Sequence, residues 1–263
     1  MGGTIIVMIT RTIRILSVGA LAALTLASCS LPLVSEREIA IQADEQFEQM
    51  RAQTPISTDP DVRNYVDCVA HAIIATLEPP YSELDWDIEV FDDDTVNAFA
   101  MPGGKIGVYT GILSVAKNQD QLGAVLGHEI AHVTQHHSVE RANRTLTTQG
   151  VAAVAGAALG GGATGDLVQQ GAQLGLLLPY GRGQESEADR IGLDYMADAG
   201  FDPRQSVKLW KNMAENDKGA PPEFLSTHPS SDTRIQDLIR ELPESLVRYN
   251  AAKEAGKNPH CGP

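Results

Sequence analysis

His128 and His132 stand four residues apart with Glu129 between them, in the string His128-Glu129-Ile130-Ala131-His132. On an α-helix, side chains at i and i+4 share one face a turn apart. Two imidazoles at that spacing can therefore reach one tetrahedral metal ion, while the glutamate faces a water held by the metal. The chemistry open to such a set is hydrolysis of a peptide bond with the carboxylate as general base. A catalytic zinc needs a third protein ligand and keeps a fourth position open. Glu185 and Asp189, again four apart, are the candidates. One carboxylate can bind the metal while the other accepts the free N–H of a ligating imidazole and fixes its tautomer. Glu187, between them, fits the plainer role of an acidic residue in a first helical turn.

Two helices must position these groups. Between Gln119 and about Arg144 the apolar residues Leu122, Val125, Leu126, Ile130, Ala131 and Val133 recur at helical spacing, with Asn118 or Asp120 available as N-cap. A second helical stretch opens with Glu185 to Asp189 and continues through Ile191, Leu193 and Met196. A metzincin continuation is excluded, because Gln135 stands where its glycine belongs and Ser138 where its third histidine belongs. His136, eight residues past His128, falls roughly 80° round the helix and two turns on, beyond reach of the same ion. His136 and His137 are accordingly read as helix-surface residues. Strands are expected over Leu84 to Phe91 and near Val96 to Thr110, with Pro102-Gly103-Gly104 as a turn. One of these strands is expected to be an exposed edge that pairs with extended substrate. Helices at Ser35 to Gln53 and Asp61 to Leu77 precede the strands and further helices follow, so the fold class is α+β, mostly helical, with a small β-sheet.

The ordered blocks resemble the zinc metallopeptidase family that contains HtpX, BepA, LoiP and the CAAX prenyl endopeptidases. They are Asn97-Ala98-Phe99-Ala100-Met101-Pro102-Gly103-Gly104, His128 to His132, Tyr180-Gly181-Arg182 with Glu185 to Asp189, Gly192, Ala199-Gly200-Phe201-Asp202-Pro203, and Thr227-His228-Pro229 with Arg234. The resemblance implies a zincin-like domain holding one Zn2+ per chain. His128, His132 and Glu185 would be its ligands, Glu129 the general base and Asp189 the support behind the ligands. It also implies that His228 and Arg234 approach the metal from a later segment. His228 would either stabilise the oxyanion or occupy the fourth zinc position and hold the enzyme latent, and Arg234 would assist at the oxyanion. Gly181 departs from a serine common in such relatives.

Residues 1–28 carry Arg11 and Arg14, no acidic group, and an apolar run from Ile15 to Ala27 that is short for a spanning helix. They end in Leu26-Ala27-Ser28-Cys29, which resembles a bacterial lipobox. The expectation is a signal peptide over 1–28, lipidation of Cys29, a tether helix over 29–58 and the catalytic domain over 59–263. Ser30 after the cysteine favours outer-membrane sorting and a periplasm-facing location in the cell envelope. Cys68 and Cys261 then remain to pair in an oxidising compartment. The net charge of −14, or −16 without the two signal arginines, speaks against nucleic acid and against direct adhesion to anionic lipid. Membrane contact is expected through the lipid anchor only.

The stretch from Gly150 to Gly165, rich in glycine and alanine, and apolar Leu167 to Leu178 are read as a helical hairpin or a flap over the site. The resemblance implies an endopeptidase acting on misfolded or misassembled envelope proteins, with outer-membrane assembly machinery as a partner. The alternative is a periplasmic chaperone or assembly factor with little or latent proteolysis.

Overall fold

The computed structural model describes residues 34–158, 179–215, 223–228 and 232–262. The leader with Cys29, and the part of the expected hairpin from 159 to 178, lie outside the described residues.

Helix α1 (Glu36–Gln53) starts at a capping box: the Glu38 N–H donates to Ser35 Oγ and the Ser35 N–H donates to Glu38 Oε2. Its only buried residues are Ile39, Ala43 and Phe47, four apart on one stripe. That stripe lies on the sheet, where the Phe47 ring meets Phe91 and Phe99 edge-on with centroids 6.2 Å away. Residues Leu33–Pro263 form one compact unit that includes α1. The helix expected as a tether is thus packed onto the sheet. Helix α2 (Pro60–Ile74) begins at Asp59, whose carboxylate accepts from the N–H groups of Asp61 and Val62, with Pro60 in the first turn.

Strands β1 (Asp87–Phe91), β2 (Ala98–Met101) and β3 (Lys105–Tyr109) form a sheet of order β1-β3-β2. β1 runs parallel to β3, and β2 returns antiparallel with Ala100 opposite Ile106. The β2–β3 turn uses Gly103 and Gly104, both at positive φ (87° and 81°). The outer side of β1 is met by Ile56 in an isolated bridge, whereas β2 forms the other edge of the sheet.

Helix α3 (Gln119–Thr134), capped by the Asn118 side chain on the Gln121 N–H, is buried at every residue from Gln121 to Thr134. It is the central element, and it meets α2, β2 and most extensively α5 (Arg182–Asp198). Helix α4 (His137–Ala158) follows α3 after a break. The expected single helix is interrupted at His136, whose φ is +56° and which therefore cannot continue a right-handed helix. Helices α6 (Arg204–Glu215), α7 (Glu223–Thr227) and α8 (Asp232–Glu254) complete the body. The C-terminal tail is fixed by a Cys68–Cys261 disulfide with a Cα–Cα distance of 5.5 Å, and by the Gln119 side chain, which bonds Pro259 O and the Cys261 N–H. Among the described residues no helix is long and apolar enough to cross a membrane.

Candidate metal centre

α3 and α5 cross at Gly127 and Gly192, where the backbones touch: a Cβ on Gly192 would stand 2.7 Å from His128 N, and one on Gly127 would stand 2.7 Å from Gly192 O. This approach sets Glu185 and Asp189 of α5 against His128 and His132 of α3. His228, directly after α7, enters from the other side with its ring stacked on Phe224 at 4.5 Å.

One ligand atom from each of His128, His132, Glu185 and His228, all buried, falls within 4.8 Å of the other three. His128 Nε2 lies 3.1 Å from His132 Nε2 and 3.2 Å from His228 Nδ1. Glu185 Oε1 lies 3.1 Å from His228 Nδ1 and 3.7 Å from His132 Nε2. Donors at about 2.0–2.1 Å from a tetrahedral zinc stand roughly 3.3 Å apart, so these separations and this nitrogen and oxygen donor set fit that ion. Glu129 Oε1 and Glu185 Oε2 are buried without a formed hydrogen bond, although His228 Nε2 is 3.2 Å from the first and Arg234 Nη1 2.7 Å from the second. Buried lone pairs of this kind are costly unless an ion or its water takes them up.

The choice between the two carboxylates of α5 is made by reach. Glu185 joins the donor group, while Asp189 Oδ1 lies 3.0 Å from His128 Nδ1, on the outer side of that ring. Arg234 clamps both: its Nε and Nη2 donate to Asp189 at 2.5 and 2.8 Å, and its guanidinium covers Trp210 at 3.8 Å. Arg234 Nη2 also lies 3.2 Å from His128 Nε2, so the guanidinium borders the donor group while it holds the two carboxylates. Burial works against ionisation of Glu185 and Asp189, yet His128 and His228 hold Glu185, and Arg234 with His128 holds Asp189, below the usual carboxylate range. Burial, reinforced by the surrounding imidazoles, pushes the His132 pKa well below the ordinary histidine value, whereas at His128 burial is outweighed by the Asp189 and Glu185 carboxylates, which raise the pKa to about 9, so a metal taken up there would displace a proton from His128. Burial lifts the Glu129 carboxyl above its usual value against the opposing pull of His228 and His128. That direction suits a general base.

Three features escaped the sequence reading. His137, expected on a helix surface, is buried with Nδ1 2.9 Å from His132 Nδ1. An uninterrupted helix would have put it roughly 140° away from His132; the left-handed turn at His136 brings it back. His136 itself is exposed, facing Tyr81. Tyr180 stacks on His132 at 3.7 Å, bonds Ser138 through its hydroxyl and lies under the Arg141 guanidinium at 3.8 Å. Its presence in the Tyr180-Gly181-Arg182 block was the available signal. Finally, a cleft of about 200 Å³ beside the donors is lined by β2, Glu129, Tyr180 and His228, and also by Gln46 and Met50 of α1. Nothing in the spacing of α1 foretold that.

Residues 60–242 match the model described as Peptidase family M48. The chain belongs to this family. Its catalytic body is therefore a metallopeptidase domain, and the expected zincin-like, mostly helical fold with a small sheet holds. The chain is 42% identical over 186 residues to the mitochondrial metalloendopeptidase OMA1 of Schizosaccharomyces pombe, covering 70% of this chain and 54% of that protein. It is 38% identical over 208 residues to the mitochondrial metalloendopeptidase OMA1 of Bos taurus, covering 72% and 39%. It is 32% identical over 226 residues to the beta-barrel assembly-enhancing protease of Yersinia pestis, covering 80% and 45%. The chain thus spans about half or less of the length of these relatives.

Proposed function

We propose that this protein is a zinc-dependent endopeptidase that cuts extended segments of misfolded or misassembled cell-envelope proteins. His128, His132 and Glu185 would hold the metal and Glu129 would act as general base. The observation that carries the reading is the relation of donors to sheet edge: the Ala100 N–H on edge strand β2 points at Glu129 Oε2, 3.3 Å away. A polypeptide laid along that edge gains backbone hydrogen bonds and brings a peptide carbonyl to the donor group. A zinc ion held by these residues would supply Lewis-acid chemistry, lowering the pKa of a water and polarising a carbonyl. Glu129 would accept a proton from the attacking water and return it to the departing amine, Asp189 would keep the His128 ring in register, and Arg234 would brace the two carboxylates.

The test uses the full chain in detergent, comparing wild type with Glu129→Gln for bound zinc and for cleavage of casein. The expected result is cleavage by wild type and none by Glu129→Gln, both with one zinc. If both bind zinc and neither cuts, the assembly-factor reading moves ahead.

That second reading has one specific support. His228 lies both in the donor group and against Glu129, so a ring in that position would take up the fourth ligand site and engage the base. Such a protein is latent until substrate displaces His228, and His228→Ala should then cut casein faster than wild type. For location, we propose a lipid anchor at Cys29 and a periplasm-facing, outer-membrane site, with assembly machinery there as partner. The Leu26-Ala27-Ser28-Cys29 string and an available cysteine pair support this. The relatives named above include mitochondrial as well as bacterial enzymes, so labelled palmitate incorporation, lost in Cys29→Ser, is the deciding measurement.

A further inference from the structure

Each imidazole of the donor group turns a second nitrogen outward, and each outward nitrogen meets a different partner. His128 Nδ1 meets the Asp189 carboxylate at 3.0 Å, and His228 Nε2 meets Glu129 Oε1 at 3.2 Å. For His132 the partner is another imidazole, with His137 Nδ1 2.9 Å from His132 Nδ1. The far nitrogen of His137, Nε2, lies 3.4 Å from Glu187 Oε2, on the exposed face of α5.

We propose that His137 is a positioning residue for the metal centre: it accepts the His132 Nδ1–H and is itself held in the accepting tautomer by Glu187. The inference rests on the reading of His132 as a zinc ligand. A His132 ring that offers the Nε2 lone pair to the metal carries its proton on Nδ1, and that proton needs an acceptor. His137 Nδ1 is the group within hydrogen-bond distance of it. Accepting there leaves the His137 proton on Nε2, facing the Glu187 carboxylate. The chain His132, His137, Glu187 therefore fixes two tautomers in sequence, from a buried metal ligand to a solvent-exposed acid. The device depends on the His136 backbone at φ +56°, which turns His137 back under α3. Tyr180 stacked on the His132 face leaves the ring its in-plane rotation as the main freedom, and that is the freedom the His137 contact removes.

The experiment compares wild type, His137→Leu, His137→Asn and Glu187→Ala in the full chain. It measures zinc affinity by competition with a chromophoric chelator, and the melting temperature of each protein after chelation. Loss of a partner of this kind costs about 10- to 100-fold in metal affinity. His137→Leu should show that loss. Asn places an amide oxygen where Nδ1 stands and should recover most of it. Glu187→Ala, at an exposed site that does not endanger folding, should weaken zinc by no more than about fivefold. A merely structural His137 would instead make the apolar Leu variant at least as stable and as tight as the Asn variant, and that ranking overturns the proposal. Equal zinc affinity in wild type and His137→Leu overturns it as well. A wild-type chain that takes up no zinc refutes the ligand assignment itself, and the positioning role with it.

Discussion

Replacing Gly192 by alanine should damage this protein far more than a single methyl group suggests. The added Cβ would stand 2.7 Å from His128 N, 2.8 Å from Gly127 C and 2.9 Å from His128 Cα. All three are backbone atoms, so no side chain can swing aside. Ordinary contact begins at 3.4 Å, and the nearest approach falls short by 3.4 − 2.7, about 0.7 Å, which α3 and α5 must supply by separating. Overpacking of this kind costs about 1–3 kcal/mol, and a rigid backbone contact belongs at the upper end. The helix propensity gained by Gly→Ala offsets about 1 kcal/mol, leaving a net loss of about 2 kcal/mol. In a domain of this size that lowers Tm by about 4–8 °C. The same movement separates His128 from Glu185, and metal–ligand distances tolerate only about 0.2 Å, so zinc affinity should fall at least about tenfold. The assay is a thermal melt of the chelated protein together with zinc titration against a competing chelator. Gly183→Ala is the control, since nothing lies within 4 Å of a Cβ at that position of the same helix. It should leave zinc binding unchanged and stability equal or slightly higher. A Gly192→Ala protein that melts with wild type and holds zinc as tightly would refute the claim that this crossing assembles the site.

The Cys68–Cys261 bridge closes a separation of 193 residues; by the loop-entropy model Cys261→Ser should cost about 2–5 kcal/mol, read as a lower denaturation midpoint under oxidising conditions and no difference under reducing ones. Glu129 provides a pH test on chelated protein. Its folded pKa is raised from 4.5, so its contribution to stability is fully present below the unfolded value and is lost as pH rises through the folded pKa. Glu129→Gln should therefore gain Tm relative to wild type as pH climbs from 4.5 upward, and a constant difference across pH 4–8 would contradict this. Met50→Ala, on the α1 wall of the cleft, should leave zinc content intact and reduce cleavage of unfolded protein by up to about tenfold. An unchanged rate and cleavage pattern would remove α1 from the substrate path.

Much of the site was legible because it is written at helical spacing. His128 with His132, and Glu185 with Asp189, are pairs one turn apart, and the period that aligns them is a property of the local backbone alone. The caps at Ser35, Asp59 and Asn118 and the glycine turn before β3 are local in the same way. The sequence by itself thus determined which residue types could gather on each helix face, and that the chemistry is that of a metallopeptidase. Tertiary structure alone decided which faces meet. That Glu185 rather than Asp189 joins the donor group, as the family resemblance implied, has its physical cause in the Gly127–Gly192 crossing, between residues 65 positions apart. His228 reaches His128 across a separation of 100 residues. α1 read as a tether because its apolar stripe is only Ile39, Ala43 and Phe47 within an acidic helix, too thin to announce a partner, yet those three side chains seat it on the sheet. His137 read as a surface residue because periodicity extends a helix until something stops it. A single left-handed residue at His136, unmarked by glycine, brings that histidine against the buried ring of His132.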